Sequence, residues 1–232
     1  EMAPSPEGGF QAQGEFLSMP GWWEVRVRAL LPSAQWRETA FYLLLQKPSR
    51  APAAFSPPSH PSDPQAQSLF ERALAGLKSL AAVKMREALT DGLGNGTLTL
   101  ARFEAPDRLA YQTLEGGETV IVADRLFFRD RPGAPWQTQP HPVPYVFPDF
   151  RWYEGATGFL LGRAEEGDQE PLQVIAFYVP TNTTWYMWWV GQRSGQLYQE
   201  VMQAPFHIMT DRYFDWNIPN DISPPRASPP DG

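Results

Sequence analysis

The sequence predicts a mainly β fold: a long antiparallel meander curled into a half-barrel, with one amphipathic helix packed on its concave side. Three observations predict it. Aromatic residues make up 13% of the chain, with nine Trp, in short segments punctuated by 25 Pro and 18 Gly, a composition that favours strands and turns over helices. Beyond residue 96 the chain reads as strand candidates separated by turn signals at hairpin spacing. Only one segment carries an N-terminal cap followed by apolar residues at helical spacing. A sheet of some nine or ten strands must curl or close, and its concave side is where an amphipathic helix can bury its apolar face.

Composition sets the outer limits. Hydrophobic residues reach 42%, enough for a core. Cys is absent, which removes disulfides, thiolate nucleophiles and Cys metal sites. A net charge of -7, with basic residues scattered, speaks against a nucleic-acid partner, which needs a basic stripe to displace counterions. No stretch approaches the ~20 apolar residues of a membrane-crossing helix. The opening Glu1-Met2-Ala3-Pro4 lacks the basic and apolar regions of a signal peptide, so the chain reads as a mature product or as part of something longer.

Residues 1–47 hold three strand candidates. Phe10–Leu17 partly alternates. In Trp22–Leu30, Trp23, Val25, Val27 and Ala29 face one side and Glu24, Arg26 and Arg28 the other, the period of a half-buried strand. Ala40–Leu45 is a short apolar run. Residues 48–65 carry Pro48, Pro52, Pro57, Pro58, Pro61 and Pro64, which remove backbone donors and mark an extended linker. His60 within it reads as solvated.

Residues 66–225 form the main domain. Ser68 and Glu71 make a capping-box pair, followed at helical spacing by Leu69, Leu74, Leu77, Leu80, Ala81 and Met85, with Gly92 and Gly94 as the stop. Strands follow at Gly96–Phe103, Arg108–Thr113, Glu118–Ala123, Arg125–Arg129, Trp136–Thr138, Ala156–Arg163, Leu172–Val179, Thr184–Val190, Leu197–Ala204 and His207–Trp216. Pro106-Asp107, Gly116-Gly117, Asp130–Gly133, Gly167-Asp168 and Ser194-Gly195 supply turns between them. Residues 226–232 read as a disordered tail.

Two resemblances follow from these residues. Phe103-Glu104-Ala105-Pro106-Asp107-Arg108-Leu109-Ala110-Tyr111, then Val120 to Phe128, and the Ser194-Gly195-Gln196-Leu197 turn resemble the LolA/LolB-like and LppX-like lipoprotein fold over roughly residues 68–225. That resemblance implies a half-barrel able to hold a lipid. Met19-Pro20-Gly21-Trp22-Trp23-Glu24-Val25 resembles the last strands of a YtkA- or CopC-like sandwich, of the kind appended to CopD-like copper-transport membrane proteins, and that resemblance implies a partial immunoglobulin-like β-sandwich segment at the N-terminus. The copper-ligand portion of CopC has no counterpart here, so no copper ligands carry over from that resemblance.

Chemistry is hard to find in the sequence. The three His are His60, His141 and His207, and no G-x-S-x-G elbow accompanies them. Glu165, Glu166 and Asp168 read as a solvated hairpin tip. Gly92–Gly96 is glycine-rich but precedes a strand, so it lacks the helix N-terminus of a phosphate site. The chain therefore reads as non-enzymatic and without a cofactor. The segment Trp185-Tyr186-Met187-Trp188-Trp189 is apolar on both faces, so it is either covered on both sides or offers a binding surface. Leu77, Phe159, Phe177, Tyr186, Met187 and Trp188 are the candidate cavity walls. The loop Pro140–Phe150 is apolar and could cap the barrel mouth or dock on a membrane or partner protein. Met202, His207 and Met209 are the candidate metal set, since thioethers suit Cu(I).

These readings converge on an extracytoplasmic domain, at the periplasmic or outer face of the cytoplasmic membrane, binding a lipid or other apolar small molecule. The alternative is a scaffold module of a larger membrane protein or complex, with a filled barrel and an exposed apolar patch, and with a tie to copper handling or to a missing upstream membrane domain.

Overall fold

The computed structural model describes residues 61–90, 96–114, 116–204 and 207–225 and Pro58, together with the backbone of four N-terminal strands. Contacts divide the chain into two units, Glu1–Pro52 and Ala53–Gly232. In the first, β1 (Ala3–Pro4) pairs with β2 (Phe10–Gln11), and β3 (Gly21–Leu30) pairs antiparallel with β4 (Trp36–Leu45), from Gly21 opposite Leu45 to Leu30 opposite Trp36. The period-2 run from Trp22 thus forms a strand, and the apolar run Ala40–Leu45 is the second half of its partner. His60, Gly92, Gly94, Met2, Met19 and the tail 226–232 lie outside the described residues.

The second unit opens with α1 (Pro64–Lys78). This corrects the expected helix, which runs from a Ser68 cap through Met85. The cap is Asp63, whose Oδ1 accepts from the Gln65 and Ala66 N–H groups at 2.8 and 3.0 Å, and Pro64 occupies the first turn, where its missing N–H costs nothing. The helix start also lies inside the proline-rich stretch read as linker. Two further bonds hold it in place: the Asp63 N–H donates to the Phe159 carbonyl at 2.8 Å, and the Ser62 hydroxyl accepts from the Gly158 N–H at 3.1 Å. Gly158 has φ +63°, and a Cβ there would lie 2.0 Å from Pro58 Cγ, so only glycine allows this approach. We expect Asp63→Ala to lower stability by ~1 kcal/mol, the usual worth of a cap, read as a lower urea midpoint with unchanged slope.

After α1 the chain turns at once into β5 (Ala82–Thr90), where the sequence suggested helix. Val83, Met85, Glu87 and Leu89 fall on one face of it and Lys84, Arg86 and Ala88 on the other. Glu87 among the apolar positions hides that alternation. The remaining strands are β6 (Gly96–Glu104), β7 (Arg108–Thr113), β8 (Glu118–Val122), β9 (Arg125–Arg129), β10 (Gln137–Pro140), β11 (Thr157–Glu165), β12 (Leu172–Val179), β13 (Thr184–Gly191), β14 (Leu197–Ala204) and β15 (His207–Phe214). Those from β6 onward agree with the expected set to within two residues at each end.

All these strands join one antiparallel sheet in the order β10-β9-β8-β7-β6-β5-β15-β14-β13-β12-β11. The sheet is two meandering wings joined along the β5–β15 seam, with β10 and β11 at the edges. Both edges are poor templates for further pairing. β10 has four exposed residues ending in Pro140, and β11 carries two register shifts. Because the edges are sequence neighbours, the segment from His141 to Ala156 must travel from one wing to the other. Its N–H groups at Tyr145 and Phe147 donate to the Ala123 and Pro106 carbonyls at 2.9 and 2.8 Å, and a 3-10 turn forms at Arg151–Tyr153.

The helix covers the β11–β14 wing. Ala66, Phe70, Ala73 and Leu77, at i, i+4, i+7 and i+11, are its buried residues. The Phe70 ring lies 5.0, 4.7 and 5.1 Å from those of Phe159, Phe177 and Trp188. All eight residues of β13 are buried, so this strand is covered on both faces. The result is a half-barrel whose helix-covered half is filled by side chains.

Candidate functional site

A cavity of about 410 Å³ opens beside the helix, over the seam. Its floor is the concave face of β5, β15, β14 and β13, because residues of one parity on each strand point the same way. The pairing sets out two rows of neighbours. Glu87, Asp211, Glu200 and Trp188 follow one another across β5, β15, β14 and β13. Met209, Met202, Tyr186 and Phe177 do the same across β15, β14, β13 and β12. Val83, Met85, Phe103 and Tyr213 complete the floor. The roof comes from the crossing loop: Phe147, Pro148 and Phe150, then Trp152 and Tyr153 of the 3-10 turn. The apolar loop Pro140–Phe150 thus supplies part of the cavity wall, while Val143 and Val146 remain exposed.

The candidate wall residues separate into three groups. Tyr186 borders the cavity. Leu77, Phe159, Phe177 and Trp188 belong to the cluster packed between helix and sheet. Met187 is buried on the opposite face of β13, outside both the cavity and that cluster. In the candidate metal set, Met202 and Met209 are cross-strand partners that both border the cavity, whereas His207 pairs with Ala204 and is not among the lining residues. Among the described residues no group of three or more His, Asp or Glu could hold a metal ion.

The sequence reading missed the three carboxyls. Glu87, Asp211 and Glu200 sit on three adjacent strands in an otherwise apolar wall. Glu200 and Asp211 are each 2% exposed. Glu200 Oε2 accepts from the Tyr153 hydroxyl at 2.6 Å and from the Trp188 indole N–H, which ties roof to floor. Asp211 Oδ1 is buried with no hydrogen-bond partner. Burial pushes the Glu200 carboxyl up to about 7, against the opposing pull of its two hydrogen bonds. Burial, reinforced by the neighbouring charges of Glu200 and Glu87, pushes Asp211 up to about 9. Burial also raises Glu87. Described basic residues of these strands do not answer them. Lys84 pairs with Asp215 at 2.7 Å and Arg212 Nε donates to Gln199 at 3.1 Å, both from positions of the opposite parity. A parity signal existed in the sequence: Asp211 alternates with Met209 and Tyr213, and Glu200 with Met202.

Glu170 is a contrasting buried carboxylate. Burial alone would raise it, but the Ser194 hydroxyl, the Arg193 and Ser194 N–H groups and the Tyr198 hydroxyl hydrogen-bond to it and hold it down to about 2. It pins the β13–β14 turn to the β11–β12 loop and lies away from the cavity.

No protein-family model matches the sequence, and no curated protein matches it. Solved structures do. Lipoprotein LppX of Mycobacterium tuberculosis aligns over 70% of this chain and 100% of its own, at 14% identity and a TM-score of 0.51. LprF of Mycobacterium bovis aligns over 73% of this chain and 100% of its own, at 10% identity and a TM-score of 0.56. At such identities the likeness is one of fold: the chain carries the curled, helix-backed antiparallel half-barrel of LppX and LprF.

Proposed function

We propose that this chain is a non-catalytic, extracytoplasmic binding domain that holds an apolar small molecule, such as a lipid, in the cavity over the β5–β15 seam. The observation that carries the reading is the cavity itself. One half of the concave face is filled by α1, while the other half leaves about 410 Å³ walled mainly by Met, Phe, Tyr and Val, within the range of small-molecule sites. A mainly apolar wall of this kind suits capture and release. The fold shared with LppX supports the same reading. The test is mass spectrometry of an organic extract of the purified protein, beside its native mass. A stoichiometric apolar molecule is the expected result. A clean mass without ligand, with no uptake of offered lipids, overturns it.

A second reading, an interaction module of a larger assembly, is favoured by one feature. Leu98, Leu100 and Leu114 are 44%, 41% and 73% exposed and line a shallow groove with Arg86 on the opposite face of the sheet. A partner covering that strip would bury an apolar patch of the kind that marks contact surfaces. Any tie to copper transport belongs to this reading and rests on the YtkA/CopC resemblance of residues 1–47.

A further inference from the structure

The cavity wall contains something a purely apolar ligand would not use: three carboxyls in one cross-strand row, Glu87, Asp211 and Glu200. Glu200 is engaged by Tyr153 and Trp188. Asp211 is different. It is 2% exposed, it borders the cavity, and its Oδ1 meets no donor. A buried acceptor without a partner is costly, and such groups in native proteins are normally met by something. None of the described residues that line the cavity is Lys, Arg or His. The remaining ionisable groups facing the row are the phenols of Tyr153, Tyr186 and Tyr213, which burial holds in the neutral form.

We propose that the cavity takes an amine-bearing amphiphile, an apolar body with one protonated nitrogen that donates to Asp211 and faces Glu87. An ammonium supplies the missing donor, and its positive charge favours the ionised form that burial otherwise suppresses, so Asp211 gives up its proton as the amine binds. Glu87 is half-buried, so it adds a second carboxyl to the seat. The rings of Phe103, Trp152, Tyr153 and Tyr186 around the same space favour a cation over a neutral head by cation–π attraction. An anionic head would meet carboxyls, and a neutral alcohol could give Asp211 a hydrogen bond but no countercharge. The apolar remainder of the ligand would lie against Met85, Met202 and Met209, whose flexible thioethers adapt to varied chains.

This inference rests on the cavity being a ligand site, so the experiment separates the two. The whole chain is titrated, below micellar concentration, with three probes of one chain length: dodecylamine, dodecanol and dodecanoate, read by native mass spectrometry and Trp fluorescence. A hydrogen bond to a charged group is worth enough to favour the amine roughly tenfold or more over the alcohol, with dodecanoate weakest. Asp211→Asn keeps the shape and should bring the ratio of amine to alcohol affinity close to one. Glu87→Gln, at a less buried position, should reduce it and serves if Asp211→Asn does not fold. Equal binding of amine and alcohol to the unaltered protein overturns this proposal and leaves the apolar cavity standing. A preference that survives both substitutions overturns it too. Binding of none of the three probes overturns both.

Discussion

Glu200→Gln is expected to make the protein more stable above neutral pH and to leave it nearly unchanged near pH 4. The sign follows from burial. Glu200 ionises near its ordinary 4.5 in the unfolded chain but near about 7 in the folded one, and Asp211 moves from 3.8 to about 9. A raised carboxyl lets the folded state keep a proton that the unfolded chain has already lost. Its stabilising contribution is complete below about pH 4 and is lost progressively as pH rises through the folded values, to about pH 9 for Asp211. At roughly 1.4 kcal/mol per unit, the shift at Glu200 alone withdraws on the order of 3 kcal/mol by pH 8. Gln is neutral at every pH and keeps an oxygen to accept from Tyr153 and Trp188, so the variant escapes that loss. Removing the charge also relieves Asp211, which lies opposite Glu200 on the next strand. Urea unfolding between pH 4 and 9 checks this. The unaltered protein should lose stability steadily across the range, and the variant should lose distinctly less. Parallel curves would mean that the two carboxyls titrate normally and that the seam is wetter than its packing implies.

The second large effect is at Trp188. Its indole is fully buried and meets three rings, Phe70 at 5.1 Å, Tyr153 at 4.9 Å and Phe177 at 5.0 Å, while its N–H holds Glu200. Trp188→Ala removes a large core side chain, which ordinarily costs about 3–5 kcal/mol, and leaves a buried carboxyl with one donor fewer. A loss near the upper end is expected, a large share of the ~5–15 kcal/mol that holds a domain together. Trp152 is the control. It is 45% exposed on the roof of the cavity, and Trp152→Ala should cost clearly less while weakening ligand uptake. Comparable losses at the two positions would show that helix and roof do not differ as described.

The strands were legible in the sequence because two local signals agree in them. Arg108–Thr113, Arg125–Arg129, Leu172–Val179 and Leu197–Ala204 match the observed strands end to end, each bounded by turn residues and carrying β-favouring side chains. The helix was legible in kind but not in place. Ser68 and Glu71 imitate a capping box, whereas Asp63-Pro64 carries the cap through its side chain and the proline at N1. The misplacement hid β5, since Leu77, Leu80, Ala81 and Met85 can be strung on a helical period across what is a helix end, a turn and a strand. The site was lost with it. Glu87, Glu200 and Asp211 break the alternation of apolar and polar positions, and in sequence a carboxyl on the apolar parity looks like noise. Only cross-strand pairing shows three such breaks side by side. The wall residues chosen from sequence were the bulkiest apolar ones, and bulk fills space: Phe159, Phe177 and Trp188 pack under the helix instead of leaving room.

The order of strands has a consequence for how the chain reaches this state. Each wing is a run of hairpins between sequence neighbours, so its contacts are local and can form early. The seam is otherwise. β5 and β15 begin and end the sheet in sequence, and the bond between the Ala81 N–H and Asn217 Oδ1 beside them spans 136 residues. Such closures pay the loop entropy last and slow folding in proportion to their range. During synthesis the first wing can assemble while the second is still being made, but the seam cannot zip until β15 has emerged. The cavity and its carboxyls lie across that seam. The pocket is therefore completed late on the way in, because it joins two subassemblies made far apart in the chain.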